Sequence, residues 1–292
     1  MKDDIERMNT FFRRVIVIGY GKAAGDILKY IADRRSDYAY QLDFIEHEPH
    51  ALSVTENICT ERNIPFRRIP EKGALARYLD EISEKTLIVS ASNNFLFPKT
   101  LVEKENITIM NFHNALLPDY PGRNAPSWVI YKGERETGIT WHYVTAGVDE
   151  GSIIVQKRCE IGSDEKAYEL TERLMDLACE GFAECFDAVL EECAEAVPQK
   201  FSRKRRMYRS KEIPGEGFLD VAGDAEAAYR LLRSVDYGKS EIFPPLHLSI
   251  EGRGAVVLRY RKVAPAKREE GENLLYLPLR SGAFLKIKYR LL

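Results

Sequence analysis

The chain is poor in the features that would announce a membrane, secreted or nucleic-acid protein. Its five cysteines, Cys59, Cys159, Cys179, Cys185 and Cys193, show no close paired spacing, and three fall in one helical pattern. Buried thiols in a reducing compartment are therefore expected. No apolar run approaches the length of a membrane span, so no membrane role is expected. The opening MKDDIERMNTFF is acidic where a secretory signal would be cationic, and a cytoplasmic location follows as the expectation. A formal net charge of -2 gives no chain-wide pull toward nucleic acid. Internal repeats and low-complexity tracts are missing too. What is present is an ordinary globular balance, 45% hydrophobic and 30% charged over 292 residues, enough for one large domain or two unequal ones.

RVIVIG at 14–19 reads as a buried strand. GYGKAAGDILKYIADRR follows as a glycine-bearing turn and an amphipathic helix with Ile27, Leu28 and Ile31 on one side. YQLDFIE at 40–46, TLIVSAS at 86–92 and ITIMNF at 107–112 read as further strands, with helices over 50–62 and 72–83. Strands alternating with helices predict a Rossmann-like parallel α/β sheet. GITWHYV at 138–144 and SIIVQKR at 152–158, either side of TAGVDEG, predict a close pair of strands. A long helix then keeps Leu170, Leu174, Phe182, Phe186 and Leu190 in helical spacing, with Ser163 as N-cap and Lys166 spoiling a capping box. Past Val197 the chain turns basic and glycine- and proline-containing, as a linker would. A helix over 224–235 and the strands LHLSI, AVVLRYRKV, LLYLPLR and AFLKIKYR predict a small β-rich domain large enough for a barrel. The expected organisation is an α/β domain at 1–198, a basic linker at 199–212 and a β-rich, OB-like barrel domain at 213–292.

Two places draw attention as candidate sites. The glycine loop Gly19–Gly25 follows a strand and opens a helix, but as G-x-G-x-x-x-G it is one residue longer than the dinucleotide fingerprint. Asp43 and Glu46 fall near a ribose-binding position without marking it. Dinucleotide binding, a plain turn, and a pocket lining where Lys22 meets an anion all remain open for this loop. His47 and His50 lie in the charged stretch EHEPH and read as solvated loop residues; His247 reads as structural. The other place is NFHNALLPDYPG at 111–122. Asn111 and His113 sit two apart in extended chain, so both side chains leave one face at the end of a strand, where parallel sheets bind ligands. An imidazole there can move a proton near neutral pH, and an amide beside it can donate to an oxyanion without titrating. Asp149, in the tight loop GVDEG, is the acid that would complete such a site, with Glu150 facing solvent; His142 can face either core or site.

NFHNALLPDYPG, GITWHYV and GVDEGSIIVQ together resemble three linked segments of the folate-dependent formyltransferases, the family of the glycinamide ribonucleotide and methionyl-tRNA enzymes. The first is similar to its Asn-x-His pair before Leu-Leu-Pro, the second to its Thr-x-His strand, the third to its Asp-x-Gly-x-Ile segment. The likeness is good over 14–195 and looser to 292. It implies transfer of the formyl group of N10-formyltetrahydrofolate to an amine through a tetrahedral intermediate. No metal or covalent enzyme intermediate is required. The resemblance implies Asn111 as oxyanion donor, His113 and Asp149 as the catalytic pair, and His142 as a support behind the site. Ser90, Ala91, Phe95 and Leu96, with His142 and Val144, correspond to where the pterin is held.

The acceptor amine is a separate question. The loop Pro121-Gly122-Arg123-Asn124-Ala125-Pro126 departs from the Arg-Gly-Ala-Ala-Pro form usual in methionyl-tRNA enzymes. It looks more like enzymes acting on nucleotide-linked amino sugars or amino acids, for which Arg123 or Lys22 would meet an anionic part of the acceptor. The basic stretch at 200–211 and the basic tail would suit a tRNA backbone, which keeps methionyl-tRNA as an alternative. A formyltetrahydrofolate hydrolase would use a similar triad with water as acceptor. A non-catalytic nucleotide-binding protein would require the three residues to coincide by chance. A homodimer through the small domain is compatible with its aromatic and leucine content.

Overall fold

The computed structural model describes residues 11–48, 53–201 and 205–292. The N-terminal segment before Phe11, residues 50–52 of the expected second helix with His50, and residues 202–204 of the basic stretch lie outside the described residues. The chain divides into two compact units, neither of them one continuous stretch: Met1–Pro121, Gly138–Cys159 and Arg173–Arg206 form the first, and Gly122–Thr137, Glu160–Glu172 and Met207–Leu292 the second. The basic stretch expected as a linker is thus shared between them, with Arg205 in the first.

The first unit is built on a seven-stranded sheet. Its strands are β1 (Arg14–Gly19), β2 (Gln41–Glu46), β3 (Phe66–Arg68), β4 (Thr86–Ala91), β5 (Ile107–His113), β6 (Glu136–Tyr143) and β7 (Ile153–Glu160), in the order β3-β2-β1-β4-β5-β6-β7. β1 to β5 pair in parallel, and β6 returns antiparallel to β5. The parallel, Rossmann-like α/β sheet expected from the alternation is therefore present. Its strand order reverses between β1 and β4, the point at which open α/β sheets bind ligands beyond their C-terminal strand ends.

Helices α1 (Gly21–Asp33), α2 (Val54–Glu61), α3 (Lys72–Asp80) and α4 (Lys99–Val102) fill the crossovers. Central strands buried on both faces need apolar residues at odd and even positions alike, and RVIVIG supplies them. Ile16, Ile18, Ile88 and Ile109 pack with Leu75, Leu79 and Leu101 on one face. Each such side chain contributes roughly 1.5–3 kcal/mol by leaving water. The glycine loop has a packing reason for one of its glycines and a conformational reason for another. A Cβ on Gly19 would sit 1.8 Å from the Ala91 carbonyl oxygen, and Gly21 takes φ +74, which favours glycine. Glu46, a ribose candidate, is instead fully buried and paired with Arg68 at 3.3 Å.

The second unit holds α5 (Ala125–Lys132), α7 (Ala225–Ser234) and a four-stranded antiparallel sheet of β8 (His247–Ile250), β9 (Arg253–Val263), β10 (Leu274–Pro278) and β11 (Phe284–Leu291). Its order, β10-β11-β9-β8, makes an antiparallel half-barrel of the expected β-rich domain. The long helix α6 (Ala167–Leu190) starts later than expected. Ser163 lies in the preceding turn, and the Lys166 N–H donates to the Glu169 carboxylate at 2.9 Å, so an acid three residues on satisfies the helix start in place of Ser163.

Two smaller readings also change. His47 is buried, with its Nδ1 2.7 Å from the Ile69 carbonyl oxygen and its ring edge-on to Phe95, partners some twenty and fifty residues away that its local sequence does not reveal. Cys193 is exposed, whereas burial pushes the Cys59 and Cys185 thiols up to about 12. No helix among the described residues is long and apolar enough to cross a membrane.

Candidate active site

The site arises from a change of residue type along one face of the sheet. Register places Ile16, Ile88 and Ile109 side by side, an apolar row of the core. Two residues further toward the strand ends the same face carries Ile18, Ser90, Asn111 and His142 in register across β1, β4, β5 and β6. Alternation with period two sends both rows to one side, so the core gives way to a polar row within one repeat. His113 lies one more repeat along, opposite Thr140. Asn111 and His113 therefore do share a face, and the row continues onto a strand whose motif was legible only in part.

Hydrogen bonding fixes each member. The Ser90 hydroxyl donates to Asn111 Oδ1 at 2.7 Å, and Asn93 Nδ2 donates to Ser90 at 3.3 Å. Asn111 Nδ2 then faces the Phe112 carbonyl oxygen and His142 Nε2, both at 3.2 Å. The carbonyl settles the amide orientation, since a flipped amide would oppose two oxygens. His142 Nδ1–H donates to the Tyr143 carbonyl at 2.9 Å, which leaves Nε2 as the acceptor. His113 Nε2–H donates to the Tyr120 carbonyl at 2.8 Å, so its Nδ1 carries the free lone pair.

Asp149 closes the arrangement from the loop between β6 and β7. Its carboxylate lies between the imidazoles, Oδ2 3.6 Å from His113 Nδ1 and Oδ1 3.6 Å from His142 Nε2. These distances exceed a normal hydrogen bond. A proton arriving on His113 Nδ1 would be met by the Asp149 carboxylate. Burial pushes the His113 imidazole below its ordinary value, against the upward pull of Asp149 and of the Tyr120 carbonyl. Ser92, Tyr120 and Asp149, all at this rim, take φ of 55, 55 and 53. Backbone of that kind costs on the order of 1–3 kcal/mol per residue and gathers at functional sites.

Neighbouring residues absent from the sequence reading hold the loops. Thr140 Oγ1 donates to the Ala115 carbonyl at 2.7 Å and accepts from the Leu117 N–H at 3.1 Å, and Gln156 Nε2 donates to Leu117 O and to Thr140. Together they shape the turn after His113, which includes the cis Leu117–Pro118 peptide. Gln199 donates to the carbonyls of Asp149 and Gly151. A glutamine outside any motif gives no sequence signal of such a role.

The other expected binding residues separate into groups. Ala91 is buried at the end of β4 and Val144 packs against the core cluster beside it. Phe95 belongs to that cluster, edge-on to Phe97, whereas Leu96 is 73% exposed. Lys22 is bound to the Asp176 carboxylate, which raises its proton affinity and neutralises it locally. Arg123 belongs to the second unit, where its N–H donates to the Tyr208 carbonyl at 2.8 Å. Among the described residues no group of three or more His, Cys, Asp or Glu side chains is arranged to hold a metal ion.

An amide, two imidazoles and a carboxylate thus gather at the C-terminal edge of a Rossmann-like sheet. Residues 48–186 match the Formyl transferase family. The chain is 28% identical over 244 residues to a GDP-perosamine N-formyltransferase of Brucella melitensis, covering 82% of this chain and 90% of that one. It is 29% identical over 180 residues to a methionyl-tRNA formyltransferase of Citrifermentans bemidjiense, covering 61% and 56%. The chain spans about half the length of the methionyl-tRNA enzymes it matches. Its fold is like that of an N-formyltransferase from Helicobacter canadensis, solved with folinic acid and dTDP-3-aminofucose, with TM-score 0.71, 16% identity and coverage of 96% and 100%. These matches support a folate-dependent formyltransferase family for the chain, as its three motifs implied.

Proposed function

We propose that this chain moves the formyl group of N10-formyltetrahydrofolate to the primary amine of a nucleotide-linked amino sugar. The observation that carries the proposal is the Asn111–His113–Asp149 cluster at the C-terminal edge of the sheet, with a buried His113 and a half-buried carboxylate 3.6 Å from His113 Nδ1 and from His142 Nε2. The donor set fits the group. When bound, the formyl-folate supplies a carbonyl carbon for the amine to attack. Asn111 offers two amide hydrogens, and the one now on His142 Nε2 is the one that can turn to a developing oxyanion. His113 Nδ1 takes the proton the amine must lose, Asp149 stabilises the imidazolium that results, and that proton is handed to N10 of the folate as the C–N10 bond breaks. Burial of His113 keeps it neutral, and so able to accept, near pH 7. Ser90, Ala91, Phe95, Leu96, His142 and Val144 are proposed to hold the pterin, and Arg123 and Lys22 the acceptor.

The amino-sugar reading is supported by the near full-length match to the perosamine enzyme. A second reading, transfer to methionyl-tRNA, draws on the methionyl-tRNA relatives. Purified protein with N10-formyltetrahydrofolate is assayed for folate release against GDP-, dTDP- and UDP-amino sugars, free amino acids and methionyl-tRNA, with His113→Ala as control. Release driven by one nucleotide sugar and lost in the variant supports the proposal. Release driven by methionyl-tRNA replaces the acceptor, release without any amine makes the chain a hydrolase, and no release at all sinks formyl transfer.

A further inference from the structure

The stretch after α6 was expected to be a basic linker, yet two of its side chains are spent on the loop that carries Asp149. Val197 and Ile153 exchange backbone hydrogen bonds at 2.8 Å, which ties this stretch to the start of β7. Gln199 Nε2 then donates to the Asp149 carbonyl at 3.0 Å and to that of Gly151 at 2.8 Å. Arg205 Nη2 donates to the Val148 carbonyl at 3.0 Å, with a longer contact to Asp149 O at 3.4 Å, and its Nη1 holds the Glu150 carboxylate at 2.9 Å. Two side chains thus grip all four residues from Val148 to Gly151.

Such a grip answers a need of the backbone. Asp149 sits at φ 53, a left-handed conformation that costs an L-residue with a Cβ roughly 1–2 kcal/mol and that no regular element imposes here. The planar guanidinium fork of Arg205 and the paired amide hydrogens of Gln199 match carbonyls at fixed spacing, which a lysine or a hydrophobic residue cannot do. We propose that Gln199 and Arg205 are positioning residues that hold the Asp149 carboxylate between His113 and His142. They touch neither the acceptor nor the donor in this account; they act through Asp149. The charged and titratable groups that bear on His113 are Asp149, which raises its proton affinity, and His142 and Arg205, which lower it. Arg205 is therefore also committed to the site, and its charge is not at the disposal of a phosphate backbone.

The test reads the imidazoles directly. His113 and His142 ring signals are followed by NMR through a pH titration of ligand-free protein, in the parent chain and in Gln199→Leu, Arg205→Lys and Arg205→Met. Loosening the loop moves the Asp149 carboxylate away, so Gln199→Leu and Arg205→Lys are expected to titrate His113 at lower pH. Arg205→Met also removes a cation, so its His113 titrates at higher pH than in Arg205→Lys. In an Asp149→Asn background Gln199→Leu is expected to change nothing further, because the pair acts through that carboxylate. Gln199→Asn replaces Gln199→Leu if the latter does not fold. Folded variants with a parent-like His113 titration, or a shift that persists undiminished without Asp149, overturn the proposal. The activity arm rests on the formyl-transfer reading: kcat falls on the order of tenfold to a hundredfold at similar KM for the folate donor. A parent chain with no turnover defeats that reading and leaves the titration result standing.

Discussion

Each unit holds a half-buried polar cluster, and the two clusters are built to opposite ends. In the second unit, Asp236 Oδ2 accepts from the Tyr260 hydroxyl at 2.6 Å and pairs with Lys166 at 2.9 Å, while Oδ1 accepts from the Gly238 N–H at 3.0 Å. Burial works to raise its carboxyl, but Tyr260, Lys166 and Gly238 together hold it below the usual range. Burial and the Asp236 contact push the Tyr260 phenol well above its own. Both shifts favour the resting forms, the Asp236 carboxylate and the neutral Tyr260 phenol. In the first unit Asp149 faces two imidazole nitrogens at 3.6 Å, and burial holds His113 below its ordinary value. A satisfied network specifies structure, whereas one with proton-accepting capacity left over can do chemistry.

The sharpest way to break that contrast is to mutate both clusters and compare rate with stability. Asn111→Ala, which removes a proposed oxyanion donor, is expected to lower kcat by about 10²–10³, or roughly 2.7–4 kcal/mol of barrier, in a folate-release assay. Tyr260→Phe is expected to leave kcat within a few-fold and to cost about 1–3 kcal/mol in urea unfolding, because Asp236 loses a buried donor. If Tyr260→Phe damaged turnover as much as Asn111→Ala did, the division of labour would be wrong. Thr140→Val stands between the two. It strips both hydrogen bonds from the turn at Ala115–Leu117 and should cost about 1–3 kcal/mol of stability, with a smaller loss of kcat than Asn111→Ala.

pH separates the clusters further. His113 has its folded value below the unfolded one, so the stability it contributes is fully present above about pH 6.5 and is lost as pH falls through the folded value. Asp236 also has a lowered folded value, but from a carboxylate baseline. Its contribution is present above about pH 3.9 and fades as pH falls through the lower folded value. Stability against pH should therefore show two steps on acidification, the upper one missing in His113→Ala and the lower one in Asp236→Asn. The rate should fall on the acid side below about pH 6.5 as His113 takes a proton from solvent. The smallest effect is expected at Cys193→Ser. That thiol is exposed, and turnover and unfolding should both stay within error.

Much of this was readable residue by residue. The alternation in ITIMNFH announced a strand and put Asn111 and His113 on one side of it, and the strand and helix pattern announced a parallel sheet. Local signals failed where a distant partner decides the outcome. Ser163 resembles an N-cap in sequence, but Glu169 meets the Lys166 N–H, and the helix starts where its N–H groups find acceptors. EHEPH is charged in composition, but His47 lies under Phe95 and the Ile69 carbonyl. The basic stretch past Val197 has the composition of a linker and spends Arg205 on a loop more than fifty positions earlier.

Sequence alone, then, determined the chemical inventory and its local spacing: which residue types exist, which of them share a strand face, and which motifs sit in which order. Those follow from the period of a strand and from the steric preferences of single residues. The tertiary structure decided who meets whom. Ser90, Asn111 and His142 come into one row through pairing registers between strands, Asp149 enters between two imidazoles through a loop held by Gln199 and Arg205, and Asp236 finds Tyr260. Contacts across tens of residues depend on the relative placement of whole elements, which the burial of their apolar faces sets and no short stretch encodes.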